Sequence, residues 1–151
     1  MSAETPLTAA WNRLRETVTS VAAEHRTDGR TVVEAYADHG AVRSATGEPL
    51  TFVFTVPGDA TTALRRAVAP TEVRRTEVRY VDIDGYRLYV LEIHQADDSP
   101  VALVAGGIRQ RSLREQADTA GRARTVVRSL DDTVALELRH DTRTPFLTEL
   151  K

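Results

Sequence analysis

The sequence predicts an α+β domain: a mixed, mostly antiparallel sheet of about seven strands, with a long N-terminal helix and two shorter helices packed on it. Three observations predict it. Apolar residues near the N-terminus recur at helical steps, later apolar runs have strand length and come in consecutive pairs, and turn residues separate them. The order reads α, β, β, α, β, β, β, α, β, β. A chain of 151 residues makes one domain, here with a short tail from about residue 141, and buries about 68–70% of its unfolded surface.

Leu7, Ala10, Trp11, Leu14, Val18, Val21, Ala22 and His25 form the stripe of the first helix, predicted over Pro6 to Asp28. Thr5 caps it, Pro6 suits its first turn and Gly29 stops it. Thr31 to Ala37 and Leu50 to Val56, rich in β-branched and aromatic residues, read as strands bounded by turns at Asp38-His39-Gly40 and Thr46 to Pro49. Asp59 is expected to cap a short helix with Ala63, Leu64, Ala67 and Val68 inside and Pro70 at its end.

Glu72 to Ile83 and Tyr86 to His94 follow as strands joined by Asp84-Gly85, the dipeptide that favours a type I′ hairpin because both turn residues need positive φ. That loop sets Asp82 opposite Arg87 and Tyr80 opposite Tyr89. Val101 to Ile108 is an unbroken apolar run and reads as a central strand covered on both faces. A third helix is expected from Ser112, where Ser112 and Glu115 form a capping box. Leu113, Gln116, Ala117 and Ala120 share its inner face, Arg114–Asp118 and Asp118–Arg122 pair outside, and Gly121 stands near its stop. Arg124 to Leu130 and Thr133 to Arg139 close the fold as a hairpin around Asp131-Asp132, before a tail carrying Pro145, Phe146 and Leu147.

Composition narrows the function classes. The 41% of hydrophobic and 28% of charged residues are those of a globular chain. The longest apolar runs, Leu50 to Val56 and Val101 to Ile108, fall far short of the roughly 20 residues that cross a bilayer. The opening residues lack the basic start and apolar run of a secretory signal, and there are zero cysteines, so a cytoplasmic setting is expected. Disulfides, thiolate metal sites and cysteine nucleophiles are excluded. A net charge of −2 gives no general attraction to nucleic acid. Charge is nonetheless uneven: 12 arginines stand against 9 acidic residues between Arg65 and Arg128, with 8 basic against 13 acidic residues elsewhere.

Few residues form a recognisable site. His25 has no second histidine one turn away, and His39, His94 and His140 each fall at a turn or strand end, so they read as surface or cap residues and no metal or cofactor is expected. Asp82-Ile83-Asp84-Gly85 resembles the start of a calcium loop but carries Arg87 where a further oxygen is needed, which favours the hairpin. Gly106 and Gly107, between a buried strand and a capped helix with Arg109, Arg111 and Arg114 beside them, make the candidate anion site. No Walker lysine or three-glycine fingerprint accompanies them, and close strand–helix packing explains the glycines equally. Arg74, Arg75 and Arg79 with Tyr80, Tyr86 and Tyr89 mix guanidinium groups and rings as single-strand nucleic-acid platforms do. Alternation instead assigns Tyr80 and Tyr89 to the core beside Val78, Leu91 and Ile93. No catalytic serine elbow or distinctive carboxylate pair is present.

Arginine fills 19 of the 20 basic positions. With that composition, the segments Leu50-Thr51-Phe52-Val53-Phe54-Thr55-Val56-Pro57-Gly58-Asp59 and His140-Asp141-Thr142-Arg143-Thr144-Pro145-Phe146 give the chain a resemblance to small uncharacterised haloarchaeal cytoplasmic proteins. That resemblance implies no known activity. The run from the second helix onward also resembles the core order of restriction-endonuclease-like folds, with Asp84 at the position of the first metal-binding aspartate. Val101 to Gly106 lacks the acidic and lysine residues of that family, and Glu92-Ile93-His94 stands one strand early, so the resemblance extends at most to an inactive relative. The expectation is therefore a non-catalytic interaction or regulatory protein whose partner is itself or another protein. The alternatives are an anion, nucleotide or nucleic-acid binder using segment 65–128, and a degenerate nuclease-like domain.

Overall fold

A computed structural model describes residues 5–116 and 121–150. Helix α1 (Pro6–Thr27) begins where Thr5 Oγ1 accepts the Thr8 N–H at 3.1 Å, with Pro6 at its first position. Ala10, Leu14, Val18 and Ala22 are its buried stripe, and Gly29 turns the chain away at a φ of +81°. The described residues form eight strands: β1 (Val32–Tyr36), β2 (His39–Arg43), β3 (Leu50–Thr55), β4 (Arg75–Ile83), β5 (Tyr86–His94), β6 (Val101–Arg109), β7 (Ala123–Arg128) and β8 (Val134–His140). Three short helices, α2 (Gly58–Ala67), α3 (Gln110–Gln116) and α4 (Thr144–Leu147), complete them.

The single sheet of about seven strands is corrected to two mixed sheets of four, ordered β1-β6-β5-β4 and β2-β3-β7-β8. Hairpin pairing was readable because it is local. What divides the sheets is a pair of parallel contacts, β1 with β6 and β3 with β7, which set Val32 beside Val101 and Leu50 beside Ala123. No local signal announces a partner so far along the chain.

The sheets share one core. Phe52 and Phe54 of β3 meet the Tyr89 ring of β5 edge-on, with centroids 6.5 and 6.2 Å apart, while Phe146 of α4 stacks on Phe52 at 4.2 Å. Leu91, Val104, Leu64 and Leu113 belong to the same cluster. On the other face of the first sheet, Leu88, Val90, Leu103 and Ala105 form a second cluster with α1. Strands β5 and β6 are thus buried on both faces, which explains their unbroken apolar sequence.

The β4–β5 hairpin has the expected register, Tyr80 opposite Tyr89 and Asp82 opposite Arg87, with Asp84 and Gly85 at φ +50° and +78°. Other boundaries move. Of Asp38-His39-Gly40 only Asp38 bends between elements: His39 and Gly40 begin β2, where a Cβ on Gly40 would lie 2.2 Å from the Gly107 carbonyl oxygen. Residues Pro70–Glu72 form a 3₁₀ turn, so β4 starts at Arg75. Pro57, not Asp59, is the N-cap of α2, and the Asp59 carboxylate accepts the Ala60 N–H at 2.9 Å inside the first turn. Strand β6 runs directly into α3 at Gln110, which places Ser112 within the helix and removes the expected capping box. The face expected at Ala117 and Ala120, and both pairs through Asp118, lie outside the described residues. The C-terminal tail folds, with Phe146 fully buried.

Candidate metal centre

Between the last turn of α1 and the first sheet lies a cluster of ionisable side chains under little solvent. Strand alternation builds half of it, because Glu92 and His94 share a β5 face with Leu88 and Val90, toward α1. The helical period builds the rest: His25 lies three residues beyond Ala22, at the end of the buried stripe. Across the hairpin, Glu77 stands in register with Glu92 and Arg75 with His94, while Arg79 lies one step further along the same face.

His25 Nε2 is 2.6 Å from Glu92 Oε1, and His94 Nε2 is 3.3 Å from that same oxygen. The two rings meet edge-to-face at 5.6 Å. Arg79 approaches the other Glu92 oxygen at 3.5 Å, and Glu77 Oε2 is 3.9 Å from His94 Nε2. Although close to Glu92, His94 Nε2 makes no hydrogen bond and is buried, the residue being only 6% exposed. A buried nitrogen left this way costs about 1–3 kcal/mol, so His94 Nε2 is the atom of the cluster that a further partner would stabilise most.

Electrostatics set the proton states. Burial opposes ionisation of Glu92, yet the hydrogen bond from His25, followed by contact with Glu77 and the Arg79 guanidinium, holds its carboxyl below the usual range. Burial lowers His94 from its ordinary value, with Glu92 working in the opposite direction. The set is therefore a carboxylate and a neutral imidazole, with a second imidazole hydrogen-bonded to the carboxylate. A carboxylate and a neutral imidazole are forms that ligate a metal.

The ligand atoms of His25, Glu92 and His94 lie within 4.8 Å of one another. In a tetrahedral zinc site with bonds near 2.0–2.1 Å, neighbouring ligand atoms stand about 3.3 Å apart. The Glu92–His94 distance already meets this. The His25–Glu92 hydrogen bond has to open by under about 1 Å, with the cation replacing its proton, and the two imidazole nitrogens, within 4.8 Å of each other, have to close by up to about 1.5 Å. Two histidines and one carboxylate leave a fourth position for water or another ligand.

The residues singled out from sequence fall elsewhere. Gly106 and Gly107 lie inside β6 and not in a loop, and a Cβ there would meet the Phe54 ring at 2.4 Å or Leu88 Cδ2 at 2.8 Å, so packing accounts for both. The Arg109 guanidinium is 5.6 Å from the Tyr86 ring centroid, and Arg111 pairs with Glu115 at 3.2 Å. Arg114 borders a separate depression with Asp82, Gln110 and Glu149. Asp84 occupies the hairpin turn at positive φ, and Tyr89 is core, as alternation predicts. His39 is exposed, and His140 is engaged by Thr125 Oγ1 at 2.8 Å.

The expected scatter of all four histidines is thus corrected for one pair, since folding joins His25 and His94. A signal was present: Glu92-x-His94 puts two polar groups on the inward face of an otherwise apolar strand, and His25 extends an apolar helical stripe. Each was readable alone, but only the packing of α1 on β5 joins them.

Fold and cluster together define an α+β protein of two four-stranded sheets with a buried His–Glu–His centre beneath its first helix. No helix among the described residues is long and apolar enough to cross a membrane. The chain belongs to a family of unknown function, DUF7529, whose model matches residues 2–148. No match is found among curated proteins or among solved structures.

Proposed function

We propose that the protein is a non-catalytic regulatory module that binds one divalent transition metal ion of the zinc class through His25, Glu92 and His94. The observation that carries this reading is the buried His94 Nε2, which has no hydrogen-bond partner and faces a carboxylate and a second imidazole. The ion ties the end of α1 to β5, joining positions 67 residues apart, and so acts on how firmly α1 holds the sheet. The cysteine-free, arginine-dominated composition supports a cytoplasmic setting, in keeping with the resemblance to haloarchaeal proteins.

Metal-stripped protein titrated with zinc against a chromophoric chelator is expected to take up one equivalent, and its thermal midpoint is expected to rise as the site fills. His94→Gln and His25→Gln each abolish both responses. No uptake of zinc, cobalt or nickel, or an unchanged response in His94→Gln, would sink the reading.

A further inference from the structure

Strand β4 ends its sheet with a free edge, a feature independent of the metal. The two-residue turn makes Ile83 and Tyr86 a mutually hydrogen-bonded pair. Counting back by twos, Val81, Arg79 and Glu77 spend their backbone groups on β5. Thr76, Val78, Tyr80 and Asp82 direct theirs outward, along the edge where the sheet ends. At nine residues β4 is longer than the other edge strands, which have five (β1 and β2) and seven (β8). Such an edge is a template for another strand unless something blunts it.

Charge on β4 narrows what can pair there. An antiparallel mate that uses the outward groups must match even-numbered positions with even-numbered ones. For two copies of β4, centring on Arg79 sets like charges face to face, and centring on Tyr80 sets Arg79 against Val81 and Glu77 against Ile83. Centring on Val78 is different: Glu77 meets Arg79 of the partner subunit, and the symmetry repeats the pair. The same register lays the stem of Arg75 of the partner subunit over Val81, which is 42% exposed and borders an apolar groove of about 480 Å³ between β4 and α1. The arginines that guard this edge against random pairing thus favour one register of self-pairing.

We infer that the protein is a two-fold dimer in which β4 pairs with β4 of a second copy, centred on Val78, to make one continuous eight-stranded sheet. Arg79 of the partner subunit then stands opposite Glu77, at the rim of the His25–Glu92–His94 cluster, so each copy completes the charge around the other's centre.

The test is light scattering on size-separated full-length chain over a dilution series in metal-chelated buffer, which separates this inference from the metal reading. The expected wild-type mass is twice 16.7 kDa. Arg79→Glu and Glu77→Arg each turn two attractive contacts into repulsive ones and raise the dimer dissociation constant about tenfold or more. The double variant Glu77→Arg/Arg79→Glu restores it to within about threefold. Val78→Pro removes an outward N–H and gives a folded monomer by circular dichroism. A monomeric wild type at every concentration overturns the proposal, as does a dimer indifferent to both single reversals, or a double variant no tighter than the singles.

Discussion

Arg87 has no exposed surface, yet all its polar groups are answered. Its Nε and Nη2 donate to the two Asp82 oxygens at 2.7 and 2.8 Å, Nη1 donates to the Phe146 carbonyl at 3.1 Å, and the guanidinium lies 3.9 Å from the Tyr80 ring centroid. The Tyr89 hydroxyl donates to the same Phe146 carbonyl at 2.7 Å. These contacts fasten the C-terminal α4 to the β4–β5 hairpin. The Arg87 guanidinium beside it also holds the Asp82 carboxyl below the usual range, against a smaller opposing effect of burial. Arg87→Ala is expected to cost about 3 kcal/mol, the lower end for a broken buried pair because the Asp82 side chain is 34% exposed and keeps some water. In a chain of this size that lowers the thermal midpoint by about 6–12 °C, read by calorimetry. The cross-strand Asp82–Arg87 pair was legible from the Asp84-Gly85 turn, whereas the hold on α4 was not, because it joins residues 59 apart.

Elements whose identity depends on local chemistry are legible in the sequence, and those fixed by crossing another element are not. Helix α1 and the β4–β5 hairpin carry their own caps, stripe and turn. Strand β2 carries none of these: it is short, and it begins with His39 and Gly40, which look like loop. Gly40 is required there because β2 passes against β6 at Gly107 with no room for a side chain. Gly106 answers the same need inside β6, under the Phe54 ring. Gly40→Ala should therefore destabilise by about 1–3 kcal/mol or more, since the atom it meets is backbone and cannot rotate away. Gly29→Ala, with nothing within 4 Å of its Cβ, suffers only from its positive φ. Urea denaturation of the two variants checks this ordering. The candidate centre divides along the same line, because the inward-facing polar groups of β5 follow from alternation while their meeting with His25 follows from tertiary packing.

At the scale of the molecule, buried imidazoles make stability depend on pH. Burial lowers His140 from its ordinary value, with a smaller opposing pull from Asp141, and His94 is lowered for the same first reason. Both are neutral in the folded chain where the unfolded chain already takes up protons. Since the unfolded state binds more protons in that window, stability is full above about pH 6.5 and falls as the pH drops from there toward the lowered folded values. Glu92, lowered in the folded state, loses its contribution only further into acid, as the pH falls through that lowered value. The urea midpoint of metal-free protein is expected to be lower at pH 5.5 than at 7.5, and His140→Gln should flatten part of that slope. An unchanged midpoint would contradict the proton states assigned to these residues.

The parallel pairings that divide the sheets also govern the order in which the molecule can come into being. Val32 waits for Val101, and Leu50 for Ala123. During synthesis at about 5–20 residues per second, each of those strands therefore spends several seconds outside the ribosome with its parallel neighbour still unmade. Strand β3, buried along its whole length in the finished molecule, is the most exposed to that delay. The nascent chain can form α1 and the β4–β5 hairpin early, but neither sheet closes until most of the chain has emerged. A stretch so apolar and so late to be covered is where a holding chaperone would act, and where overexpression would first lead to aggregation.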